Sequence, residues 1–132
     1  MSAIDVYVEA EIHPTEDPER VRQAVENILW NPEFEVKPLD GVSLLTARAK
    51  GRESLTKIYN LLRRERIRGA ARGLLLQGLR GKSLIFYLNK QVAYVGHLSF
   101  SEPEAESPLG PIKVQIQCED PREIIEWLTK TT

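Results

Sequence analysis

The chain has 132 residues, 42% hydrophobic and 28% charged, a composition that suits one ordinary globular domain spanning residues 1–132 and excludes a disordered or fibrous chain. A single Cys118 excludes an internal disulfide framework and a cysteine-built metal site, and no stretch approaches the ~20 apolar residues of a membrane span. The net charge of -1 argues against a polyanion partner only until its distribution is read: residues 1–49 carry ten acids and four bases, residues 50–90 two acids and eleven bases, and residues 91–132 seven acids and three bases.

In chain order, Ile4, Val6, Val8, Ala10 and Ile12 alternate with polar neighbours, the period of a strand with one buried face. Asp17-Pro18 then offers a helix N-cap with proline at the first helical position. Val21, Ala24, Val25, Ile28 and Leu29 follow at helical spacing, and Pro32 stops the run. Strands are predicted at residues 34–39 and 42–50, joined by the turn signal Asp40-Gly41.

A helix is predicted over 52–66, with Leu55, Ile58, Tyr59 and Leu62 on one face. Gly69 is read as a break, followed by a second helix over 70–79. Residues 83–88 and 91–95 read as a hairpin turning at Asn89-Lys90, and residues 97–101 as a further strand. A proline-rich polar loop carries Glu102, Glu104 and Glu106, which are expected to face water. Ile112, Val114, Ile116 and Cys118 alternate as a half-buried strand. Asp120-Pro121 repeats the capping device, with Glu123 placed for a capping box and Ile124, Ile125, Trp127 and Leu128 to bury. The expected fold is α+β, a single domain with a mainly antiparallel sheet and its helices packed on one face.

No catalytic constellation is visible. His13 and His97 sit in no metal-ligand or triad-like context, and Cys118 falls on the apolar side of its strand as an inert core thiol. Gly81-Lys82-Ser83 resembles the end of a phosphate-binding P-loop. The full motif needs a glycine where Leu76 stands, and a strand before the loop with a helix after it. Here a helix precedes and a strand follows, so that reading is rejected. A non-enzyme without cofactor or metal is expected. The N-terminal stretch has no basic region leading into a long apolar run, so a cytoplasmic, non-membrane protein is expected.

The basic block carries the functional signal. Within residues 61–82 arginine outnumbers lysine six to one, and its planar fork matches phosphate oxygens. One reading is an Arg-rich ridge along an RNA backbone, with Arg63, Arg64, Arg68, Arg72, Arg80, Lys82 and Lys90 on phosphates and Tyr87 or Tyr94 offering a stacking surface. Among these Arg72, between Ala71 and Gly73, is the one most suited to a structural role. Lys113 and Lys130 lie outside the block, and replacing them is expected to change RNA binding little. The other reading is a surface ion network, in which the arginines pair with acids from the two flanking segments. Both remain open at this level.

The run from Arg68 to Phe100, with Arg72, Leu88-Asn89-Lys90-Gln91, Ala93, Gly96 and Ser99-Phe100, followed by residues 107–112, resembles an archaeal family of small RNA-binding-like proteins. The resemblance implies an α+β fold similar to the large-subunit ribosomal protein that binds five-S RNA. It implies no catalytic or binding residues. Two functions follow as expectations: a non-catalytic protein on structured RNA of the ribosomal or transfer class, or a protein-interaction or homo-oligomerisation module, including a homodimer, whose basic ridge meets an acidic surface.

Overall fold

The computed structural model describes residues 3–102 and 109–130. Glu104 and Glu106 of the polar loop, and Ser107 of the proline-rich segment, lie outside the described residues. The elements run β1 (Asp5–Ile12), α1 (Pro18–Glu26), β2 (Glu33–Pro38), β3 (Ser43–Lys50), a 3-10 turn at Arg52–Leu55, α2 (Thr56–Arg64), α3 (Arg68–Gln77), β4 (Leu79–Arg80), β5 (Ser83–Leu88), α4 (Lys90–Tyr94), β6 (Phe100–Ser101), β7 (Ile112–Gln117) and α5 (Pro121–Thr129).

All the strand pairs are antiparallel, in the order β2-β3-β1-β7-β5-β4, with β6 also against β5. The register follows from the alternation. Val8 lies opposite both Ala47 and Val114, and Val114 opposite Phe86, so one apolar row crosses four strands. A shift by one residue would turn every such row to water. The buried row packs under Val21, Ala24 and Val25 of α1, Ile58, Leu61 and Leu62 of α2, Ala71 and Leu75 of α3, and Ile124, Ile125 and Leu128 of α5. The other face presents Tyr7, Glu9, Arg48, Lys113 and Gln115. The α+β antiparallel sheet with helices on one face is thus the observed fold.

The Asp-Pro devices cap as expected. Asp17 accepts from the Glu19 N–H at 3.0 Å, and Asp120 from the Glu123 N–H at 3.4 Å. Three local expectations are corrected. Asn89-Lys90 is no hairpin turn: Asn89 has φ -72° and its side chain accepts from the Val92 N–H at 2.9 Å, so it caps α4. The same short amide suits an N-cap and a tight turn, and burial of Ala93 beside α1 selects the helix. Only Phe100 and Ser101 of residues 97–101 pair with the sheet. The helical break lies at Arg66 rather than Gly69, which is inside α3.

Gly78, just past α3, is a place where only glycine fits. The Ile85 N–H donates to its carbonyl at 3.0 Å, and a Cβ there would meet the Ile85 oxygen at 1.9 Å. Gly78→Ala is expected to destabilise by roughly 2 kcal/mol or more through the forced backbone shift. Gly73, mid-helix with nothing within 4 Å of its would-be Cβ, gives the opposite sign. Gly73→Ala should stabilise by about 0.5–1 kcal/mol. Urea denaturation of both variants checks the pair.

Candidate nucleic-acid interface

The basic block folds into a corner between α2 and α3. The Arg66 N–H bonds the Arg63 carbonyl and the Ile67 N–H the Leu62 carbonyl, both at 3.2 Å, while Arg66 takes φ 58°. These two bonds form a Schellman stop, with arginine at the left-handed position that glycine usually fills. The left-handed backbone costs a side-chain-bearing residue roughly 1–2 kcal/mol. Arg66 is exposed, and its side chain has no partner among the described residues.

The end of α5 is tied into this corner. Arg63 donates through Nη1 to the Leu128 carbonyl at 3.1 Å and the Tyr59 carbonyl at 3.2 Å. Through Nη2 it reaches the carbonyls of Lys130 at 3.2 Å and Trp127 at 3.4 Å. Arg68 donates to the same Lys130 carbonyl at 2.9 Å. Two guanidiniums therefore converge on one oxygen, at the helix end whose dipole favours cations. Arg63 also lies 3.4 Å over the Tyr59 ring, Tyr59 stacks on Trp127 at 4.7 Å, and Arg52 covers Trp127 at 5.0 Å. Arg64 donates to the Gly96 carbonyl.

None of Arg63, Arg64, Arg66 and Arg68 forms an ion pair with a carboxylate among the described residues. The acid of the corner, Glu65, bonds His97 Nδ1 at 2.7 Å and the Leu98 N–H at 3.4 Å. Those bonds, the His97 one foremost, hold its carboxyl below the usual range. The exposed Lys130 side chain adds a cation that the charge blocks of the sequence leave out. Its sequence signal is absent because it lies in the acidic third of the chain.

The other expected contacts sit elsewhere. Arg72 pairs with Glu126 at 2.5 Å, which raises the guanidinium pKa and lowers the carboxyl's. Lys82 pairs with Glu119 at 3.1 Å, and Arg80 donates to the Gln77 and Leu79 carbonyls at 2.8 and 2.9 Å. Tyr87 is half-buried on β5, and Tyr94 is exposed with Arg20 over its ring at 5.6 Å.

Lys90 is a correction. It is only 4% exposed, and its ammonium is bound by the Glu16 carboxylate at 3.1 Å and by the Glu11 and Leu109 carbonyls, both at 2.7 Å. Three acceptors match its three N–H donors, leaving none for a phosphate.

An RNA-binding family model matches residues 5–118. The chain belongs to this RNA-binding family. Its relatives include the UPF0201 protein TK1335 of Thermococcus kodakarensis, 40% identical over 97% of this chain and 91% of the relative. A UPF0201 protein of Sulfurisphaera tokodaii is 42% identical over 96% of this chain and 88% of its own. The crystal structure of a Methanococcus jannaschii UPF0201 protein superposes with a TM-score of 0.85 at 30% identity, covering 97% of this chain and 94% of that one. Mth689, a DUF54 protein of Methanothermobacter thermautotrophicus, shares the fold with a TM-score of 0.60 at 22% identity, over 89% and 86% of the two chains. No helix among the described residues is long and apolar enough to cross a membrane.

Lys90→Met should strand a Glu16 side chain that is only 10% exposed, and is expected to destabilise by about 3–5 kcal/mol in urea titration. For Glu65 and Glu126 the folded pKa is depressed, so their stabilisation is full above the unfolded carboxyl pKa and lost as pH falls through the folded value. Glu126→Gln should accordingly make thermal stability less sensitive to acidification below the ordinary carboxylate range, measured as melting temperature against pH.

Proposed function

We propose that the protein is a non-catalytic, cytoplasmic RNA-binding protein that grips the phosphate backbone of structured RNA, of the ribosomal or transfer class, at the α2–α3–α5 corner. Arg63, Arg64, Arg66, Arg68 and Lys130 are the contacts. The observation that carries this reading is the convergence of Arg63 and Arg68 on the Lys130 carbonyl, with no carboxylate bound to either among the described residues. A carbonyl fixes a guanidinium's direction but leaves its full charge, so the forks are held in place and remain cationic.

Arg66 supports the same assignment from another side. A long basic side chain stands where glycine would make the more stable turn, and strain of that kind gathers at functional positions. Arg72, Lys82 and Lys90 are each matched by a carboxylate and are assigned structural roles. Membership of the RNA-binding family and the ribosomal-protein-like fold implied by the resemblance are compatible with this corner.

The test is a salt-dependent anisotropy titration with a transfer-RNA-sized structured RNA. Each phosphate contact contributes roughly 0.7–0.9 to the log–log slope. Arg64→Gln with Lys130→Gln should flatten the slope by about one to two units. Arg66→Gly should weaken binding while raising the urea midpoint, since it relieves the left-handed strain. Lys82→Gln should leave the slope unchanged. A slope indifferent to the corner substitutions, or no binding at low salt, would move the reading to a protein-interaction module.

A further inference from the structure

Among the described residues the outer strand β2 pairs only with β3, so its other edge carries no strand there. The Leu39 N–H donates to the Val42 carbonyl at 2.8 Å, closing the β2–β3 hairpin. Antiparallel alternation from that bond turns the polar groups of Lys37, Glu35 and Glu33 toward β3. The Thr46 hydroxyl reaching the Glu35 carbonyl at 3.3 Å agrees with this parity. The outward groups are then those of Phe34, Val36 and Pro38. Pro38 stands where its missing N–H breaks no bond to β3.

Apolar exposure gathers on the same segment. Val36 is 56% exposed and is flanked along the chain by Trp30 at 54% and Leu39 at 50%. Half of the large exposed apolar side chains among the described residues fall in this one stretch, which is unusual for an edge strand left in water.

We propose that β2 pairs antiparallel with β2 of a second copy about a two-fold axis at Val36, joining two sheets into one. The outward parity allows only registers that set Phe34, Val36 and Pro38 against one another. Centring on Phe34 would place Glu33 against Glu35 of the second copy. A centre between Phe34 and Val36 would face Glu35 with itself, and one between Val36 and Pro38 would face Lys37 with itself. Centring on Val36 sets Glu35 against Lys37 of the second copy, twice by symmetry, and covers Val36 with its own equivalent. It also brings Phe34 opposite Pro38. The Val36 residues exchange both backbone bonds, and each Phe34 N–H meets a Pro38 carbonyl. The Glu35–Lys37 pairs occupy the non-hydrogen-bonded positions, where facing Cα atoms are about 4.5 Å apart. A self-complementary strand is what an isologous interface requires.

The experiment is light scattering on the full chain at high micromolar concentration, expected to give twice the 15.0 kDa chain mass. Glu35→Lys and Lys37→Glu should each weaken the dimer roughly tenfold or more, by creating two like-charge contacts. The double exchange Glu35→Lys/Lys37→Glu should restore it, a rescue that a merely misfolded single variant cannot give. Val36→Cys should cross-link to a disulfide dimer on mild oxidation, whereas the wild type, with its buried Cys118, should not. A monomeric wild type, a dimer indifferent to both charge reversals, or a Val36→Cys protein that stays uncross-linked would overturn the proposal.

Discussion

A guanidinium that ends on a carbonyl oxygen keeps its charge, whereas one that ends on a carboxylate loses most of it to its neighbour. That difference organises the basic half of this molecule. Arg63 and Arg68 close the end of α5 by binding its last carbonyls, so the packing of α5 on α2 and α3 and the local excess of positive charge have one cause. The Tyr59–Trp127 stack beneath Arg63 keeps the fork in plane and limits its rotamers. The corner is therefore a structural joint first, and its electrostatic character follows from how the joint is made.

Much of the fold was legible because it rests on local periodicity. The alternation from Ile4 to Ile12 and from Ile112 to Cys118 marks β1 and β7, and the two Asp-Pro steps mark the starts of α1 and α5. What failed depended on distant partners or on signals with two meanings. Asn89 serves equally as a turn residue and as a helix cap, and only the packing of α4 on α1 decides between them. Lys90 reads as an exposed tip, yet Glu16 and the Glu11 carbonyl, remote in sequence, draw it inside. The candidate site was legible as a charge block but not as a shape. No pattern in the string tells which arginine will find Glu126 and which only a carbonyl. The left-handed turn at Arg66 is equally hidden, since propensity would assign that position to glycine.

The uncovered face of the sheet is the obvious rival to the corner as a binding surface, and its charges argue against it. Glu9 accepts from the Tyr7 hydroxyl at 3.0 Å and faces Lys113 at 3.9 Å, while Arg48 lies 4.8 Å over the Tyr7 ring. Burial, and then the bond to Glu9, pushes the Tyr7 phenol further up, so it stays neutral. Acids and bases are mixed on this face, with Glu33 opposite Arg48 and Glu9 opposite Lys113, and a polyanion meets little net attraction there. Such a surface is well solvated and tolerant of water. The sheet acts instead as the rigid base that sets α2, α3 and α5 against one another.

Concentrating cations that have no carboxylate partner among the described residues works against the stability of the free protein, because like charges repel and exposed pairs are only partly screened. Three features reduce that penalty without cancelling the charge. The carbonyls at the end of α5 and its dipole attract Arg63 and Arg68, the aromatic face under Arg63 adds cation–π attraction, and His97 draws Glu65 aside. A carboxylate would have neutralised the joint, as Glu126 does for Arg72 one helical turn further along α3. Two solutions to the same packing problem therefore sit side by side on one helix. Only the carbonyl solution leaves the arginines able to attract an anion from outside, and the strained Arg66 stands beside it. At the corner, stability alone would have favoured glycine at residue 66, whose left-handed backbone a side chain strains.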